Sequence, residues 1–118
     1  MDIIKDKSFK FAIRIVNLYK YLCETKKEFV LSKQLLRSGT AIGALQREAC
    51  HAESKADFIH KYAIAQKECN ETQYWLELLK ETDFLSPQQY DSISQEAEEL
   101  MKLITASIIT AKKNKNNG

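Results

Sequence analysis

A single proline, Pro87, is the only residue of its kind in the chain, and its neighbours make it a punctuation mark. Ser86 precedes it as an N-cap, Pro87 takes the first helical position and Gln89 stands where a capping box places its third residue. Elsewhere the chain has almost nothing that stops a helix. It holds only three glycines in 118 residues, with 44% hydrophobic and 29% charged residues, the composition of one helix-rich domain.

Apolar residues recurring at three and four predict four helices. In the first, Ser8 is the candidate N-cap, and Phe9, Ala12, Ile13, Val16, Tyr19 and Cys23 form one stripe beside a second of Phe11, Ile15, Leu18 and Leu22. In the second, Ser32 is the candidate cap and Leu35, Leu36, Ile42, Leu45 and Ala49 the core positions. Ser54 with Asp57 resembles a capping box for the third, which carries Phe58, Ile59, Tyr62, Ala65, Cys69, Trp75, Leu76 and Leu79. The fourth runs from Ser86 through Tyr90, Ile93, Ala97, Leu100, Ile104, Ile108 and Ala111. Short connections favour antiparallel neighbours, so the expected fold is all-α, an antiparallel up-down-up-down four-helix bundle over residues 1–112. Residues 113–118 are expected to form a disordered basic tail.

Two apolar stripes on one helix need two surfaces to bury them. One stripe is enough for the bundle, so Phe11, Ile15, Leu18 and Leu22 are candidates for a contact with another subunit. The second helix adds Gly39 and Gly43, one turn apart. Each costs about 0.5–1 kcal/mol relative to alanine inside a helix, and close approach of another backbone, within the bundle or between subunits, is the compensating gain.

The net charge of +2 hides an asymmetry. Met1 to Ser38 holds nine Lys and Arg against four acids, Gly39 to Ser86 five against eight, and the remainder four of each. Lys7, Lys10 and Arg14 share one helical face, which Lys20 and Arg37 would extend. Such a stripe is either a solvated face or a surface for nucleic-acid phosphates, and without an aromatic RNA-binding motif or GXXG clamp any contact would be to backbone and shape. No apolar run approaches the ~18 residues of a membrane span, and MDIIKDKSF lacks a signal-peptide core, so a cytoplasmic location without a membrane partner is expected. Cys23, Cys50 and Cys69, odd in number and within helical patterns, are expected to be reduced core thiols.

Candidate chemistry is sparse. Glu48-x-x-His51 and Asp57-x-x-His60 resemble the Glu-x-x-His pattern of di-iron bundles, but both crowd one turn instead of facing each other across a core. Arg47 and His51, an i, i+4 pair, have the flavour of a HEPN-type ribonuclease, with three intervening residues where that family has four to six. No Gly-rich phosphate loop and no nucleophile paired with a histidine is recognisable. The expectation is a protein without catalytic residues, metal or cofactor.

The stretch RSGTAIGALQREA, from Arg37 to Ala49, then SKADF from Ser54 to Phe58 and NETQYWLELL from Asn70 to Leu79, resembles the small four-helix-bundle proteins encoded in intervening sequences of bacterial 23S ribosomal RNA genes. Arg37, Glu48, Asp57, Phe58 and Glu71 are the candidate motif residues. Relatives commonly read SIGAN where this chain has Ala41 to Leu45, and Gln46 is polar where the pattern is often apolar, which suggests that Leu45 and Gln46 exchange inward and outward positions. The resemblance implies a homopentameric ring, and a similar bundle serves diversity-generating retroelements, where a basic surface engages nucleic acid and a reverse transcriptase. The functional expectation is therefore a non-enzymatic homo-oligomeric bundle that binds RNA or other nucleic acid through a basic surface. The alternative is a scaffold for protein partners without nucleic-acid affinity; a HEPN-like ribonuclease is the remote third.

Overall fold

The computed structural model describes residues 2–114. Four helices account for nearly all of them: α1 (Ile3–Glu24), α2 (Leu31–Cys50), α3 (Lys55–Glu81) and α4 (Pro87–Lys113). Of the expected tail, Lys113 still belongs to α4, and residues 115–118 lie outside the described residues.

Helix starts follow local chemistry, not always at the expected residue. Ser86 accepts from the Gln89 N–H while Gln89 accepts from the Ser86 N–H, a complete capping box behind Pro87. Ser54 caps α3 by accepting from the Asp57 N–H at 3.0 Å, but Asp57 accepts from Glu53 rather than from the cap residue. Ser8 and Ser32 are not caps. Asp2 caps α1, accepting from the N–H groups of Ile4 and Lys5 at 3.0 and 3.1 Å, and Ser8 is buried well inside the helix. For α2 the cap comes from the preceding loop: the Glu28 carboxylate accepts from Leu31 and Ser32 N–H at 2.7 and 2.9 Å. A carboxylate there satisfies otherwise orphaned donors and complements the helix dipole, so a glutamate outside the usual cap position serves as well.

Contacts between neighbouring helices pair residues in opposite chain order. Ile15 and Ser8 of α1 meet Gly39 and Gly43 of α2. Arg37 and Glu48 of α2 meet Glu68 and Lys61 of α3, and Gln66 and Gln73 of α3 meet Thr105 and Ser94 of α4. Lys7 and Arg14 reach Glu99 and Glu96, which returns α4 to α1. Successive helices therefore run in opposite directions, giving a body 51 Å long and 23 by 21 Å across.

The core reverses the expectation for α1. Phe11, Ile15 and Leu22, candidates for a subunit contact, are buried inside the bundle, and Leu18 packs half-buried against them. The stripe assigned to the core stays out: Phe9 and Ile13 are exposed, and Ala12, Val16, Tyr19 and Cys23 are half-buried. Gly39 and Gly43 are likewise used within the subunit, Gly39 against Ile15 and Gly43 against the Ser8 carbonyl. On α2, Leu35, Ile42 and Ala49 are buried, and Gln46 is fully buried while Leu45 is half-buried, the exchange that the pair suggests. Of the three thiols only Cys69 is a core residue; Cys23 is half-buried and Cys50 exposed.

Candidate interaction surfaces

The residues singled out for phosphate contact are largely occupied. Lys7 pairs with Glu99 at 2.8 Å, and the carboxylate holds its ammonium above the ordinary lysine range. Lys10 pairs with Asp6 at 3.2 Å within α1. Arg14 pairs with Glu96 and donates to the Ser92 hydroxyl at 3.1 Å. Arg37, far from these on α2, pairs with Glu68 at 3.2 Å and with Glu71. Lys20 alone of the five makes no ion pair among the described residues. Lys7 and Arg14 thus join α1 to α4, their charges opposed by carboxylates across the seam, and each exposed pair adds little stability of its own.

The motif residues also turn inward to the fold. Arg37 bridges to Glu68 and Glu71 of α3, and Glu71 accepts from the Trp75 indole N–H at 3.2 Å. Next to Arg37, the Thr72 hydroxyl donates to Ser38 at 3.0 Å, a buried bond between the same two helices. Glu48 pairs with Lys61 at 3.1 Å at the other end of that interface. Phe58 packs against Tyr62 with ring centroids 4.6 Å apart. Arg37, Glu48 and Glu71 therefore join α2 to α3, Asp57 lies in the first turn of α3, and Phe58 borders a depression with Ile3, Ile4 and Leu103 of α1 and α4, so the five share no cavity.

The enzyme-like patterns disperse in the same way. Arg47 lies 5.1 Å over the Phe9 ring, a cation–π contact with α1, while His51 is an exposed C-cap and His60 is exposed on α3. No group of three His, Cys, Asp or Glu capable of holding a metal is present among the described residues. A depression of about 290 Å³ between α1 and α4 is lined by Arg14, Asn17, Leu18, Gln89 and Ile93, which supply no nucleophile and no general base. Among the described residues no helix is long and apolar enough to cross a membrane.

What the charged motifs do not explain is exposed apolar surface. Phe9 and Ile13 are 53% and 48% exposed, one turn apart on the side of α1 away from its buried stripe. Half-buried Ala12 and Val16 continue the strip, and on α2 the half-buried Gly43 and exposed Ala44 and Arg47 lie along the adjoining edge. Periodicity located both stripes of α1 but not which was internal. The signal that separates them is the small residues of α2: Gly39 and Gly43 need a partner, and Ile15 and Ser8 are the α1 residues that fit against them.

An all-α chain of four helices, closed by charged ties and with its most distinctive residues spent on helix packing, defines a class of small helical-bundle proteins. The chain belongs to the 23S rRNA-intervening sequence protein family, whose profile matches residues 2–106. It is similar to a crystal structure of a protein of unknown function from the S23 ribosomal protein family of Bacteroides thetaiotaomicron. That similarity has a TM-score of 0.89 and 57% identity, over 90% of this chain and 98% of that one. No curated protein matches the chain.

Proposed function

We propose that the protein is a self-associating helical scaffold whose subunits meet through the outer face of α1. The observation that carries this reading is the pair Phe9 and Ile13, two large apolar side chains half exposed beside one another on a helix whose opposite face already fills the core. Contiguous apolar surface of this kind marks a contact site, whereas scattered single residues would not. The pairing of Lys7, Lys10 and Arg14 with acids favours the scaffold over nucleic-acid binding by that stripe. A ring of five is the expectation that the family resemblance brings.

Native mass measurement tests the reading. Phe9→Asp and Ile13→Asp are expected to lower the mass to that of one subunit while the helical circular dichroism is retained, because neither side chain is part of the core. Phe11→Asp, which places a charge in the core, is expected to unfold the chain instead. A monomeric wild-type protein, or an unchanged mass in both surface variants, would remove this reading.

A further inference from the structure

The geometry points to the α1–α2 connection, residues 25–30, as a contact site for single-stranded nucleic acid, with Phe29 as a platform for one unpaired base and the surrounding lysines as phosphate contacts. The site lies beyond the Phe9–Ile13 strip, sharing only Lys20 with that face of α1, and does not depend on self-association.

Phe29 and Val30 are 57% and 73% exposed, consecutive, and placed at one end of the bundle. Their exposure is built in by the backbone beneath them. Glu28 N–H donates to the Leu22 carbonyl at 2.9 Å, the Ser32 hydroxyl donates to the Glu28 carbonyl at 2.7 Å, and the buried Glu28 carboxylate caps α2. The same bonds that start α2 hold the next two side chains outward. They also consume the charge of Glu28, leaving Glu24 as the only exposed acid between Lys20 and Lys33.

Lys26 and Lys27 lie in this connection, Lys20 in the last turns of α1 and Lys33 in the first turn of α2, all exposed and none in an ion pair among the described residues. The contrast with Lys7, Lys10 and Arg14 is plain: those face carboxylates, and these do not. Lys26 shares a depression with Asp83 of the α3–α4 connection, which bounds the basic surface on that side. Unpaired cations call for an anionic partner, and an exposed aromatic ring beside them calls for a flat apolar group on it. Single-stranded nucleic acid carries both at the spacing of one nucleotide, since a base stacks on an aromatic face while lysines neutralise phosphates. A duplex hides its base faces, so it would use the lysines alone.

Fluorescence anisotropy of a labelled oligouridylate and of an abasic strand of equal length, at several salt concentrations, tests the site. The wild-type protein is expected to favour oligouridylate at least about fivefold, the lower range for one stacked base, and Phe29→Ala to erase that preference. Changing Lys20, Lys26, Lys27 and Lys33 together to Gln is expected to flatten the log–log salt dependence by about 0.7 for each lysine in contact. The same change at Lys7, Lys10 and Arg14 should leave it unaltered. Circular dichroism of each variant guards against loss of fold. Absence of binding at low salt, a preference that survives Phe29→Ala, or binding to anionic phosphatidylserine vesicles in place of the oligonucleotide would each overturn the proposal.

Discussion

Replacing Gly39 by alanine probes how closely α1 and α2 must approach. A methyl group there would lie 2.7 Å from Ile15 Cγ1 and 2.9 Å from both Cδ1 and Cγ2. Ile15 is fully buried and β-branched, so its side chain has little rotamer freedom with which to yield, and the two helices must move apart instead. Overpacking of this sort costs about 1–3 kcal/mol. Glycine to alanine in a helix interior returns about 1 kcal/mol, so the net loss is on the order of 1 kcal/mol, or a fall in Tm of roughly 3–5 °C for a domain of this size. Gly43 is the internal control: its methyl would meet the Ser8 carbonyl oxygen at 3.3 Å, which a shift of a few tenths of an ångström relieves. Gly43→Ala should therefore be the milder change by about 1.5–2 kcal/mol, keeping most of the helix-propensity gain. Urea unfolding followed by circular dichroism, at one fixed protein concentration because association would contribute to stability, measures both. Ile15→Val, which removes Cδ1, should make the Gly39→Ala penalty smaller than in the wild-type background. A Gly39→Ala protein as stable as Gly43→Ala, or strict additivity with Ile15→Val, would refute the close-approach argument.

The thiols give a second test, since Cys50 should react promptly with a thiol reagent in the folded protein and Cys69 only on unfolding; equal rates would contradict their placement. Burial pushes the Cys69 thiol from 9.0 up to about 11, so as pH rises the unfolded chain ionises first. Its contribution to stability is intact below about 9 and lost between about 9 and about 11. Cys69→Ala should flatten that part of the stability profile, and an unchanged slope would count against the burial. Arg37→Ala should cost about 1 kcal/mol and shift the emission of Trp75, the only tryptophan, through the Glu71 carboxylate that both residues share. Unaltered emission and stability would show that the α2–α3 ties carry no weight. Lys7→Gln should give a small destabilisation that disappears at high salt; one that persists would mean that the Glu99 pair is not simply a screened surface contact.

Helix number and much of the core were legible because both depend on local pattern. Ile93, Ala97, Leu100, Ile104 and Ile108 follow one seam, and that seam is buried. The α4 start at Ser86 could be read because every element of the capping box lies within four residues. The starts of α1 and α2 could not be read the same way. Asp2 leaves almost no preceding sequence to signal it, and Glu28 caps from two residues before the cap position, outside the pattern that identifies caps. The stripe on α1 was misassigned for another reason: period identifies two faces but does not order them, and Phe9 with Ile13 is as apolar as Phe11 with Ile15. The ion pairs of the candidate basic surface were hidden on the same ground, since the acids that pair with Lys7 and Arg14 lie some eighty to ninety residues away on α4. The Phe29 tip needed the Glu28 bonds to be seen, because an apolar pair before a helix reads equally well as its buried first turn.

The seam between α1 and α4 has a kinetic side. Every other substantial helix contact joins elements adjacent in the chain, so α1, α2 and α3 can assemble in order, while α4 must travel back to the first helix to close the bundle. That closing edge is tied by ions rather than only by interlocking side chains. Ionic ties are weakened by salt where apolar packing is not. The amides of α4 nearest α1 should therefore exchange with solvent faster as salt rises, while those of the α2–α3 interface, held by the buried Ser38–Thr72 bond, keep their pace. The α2–α3 interface has ion pairs too, but it adds the buried Ser38–Thr72 bond, so the closing edge is the one that the solution around it would loosen first.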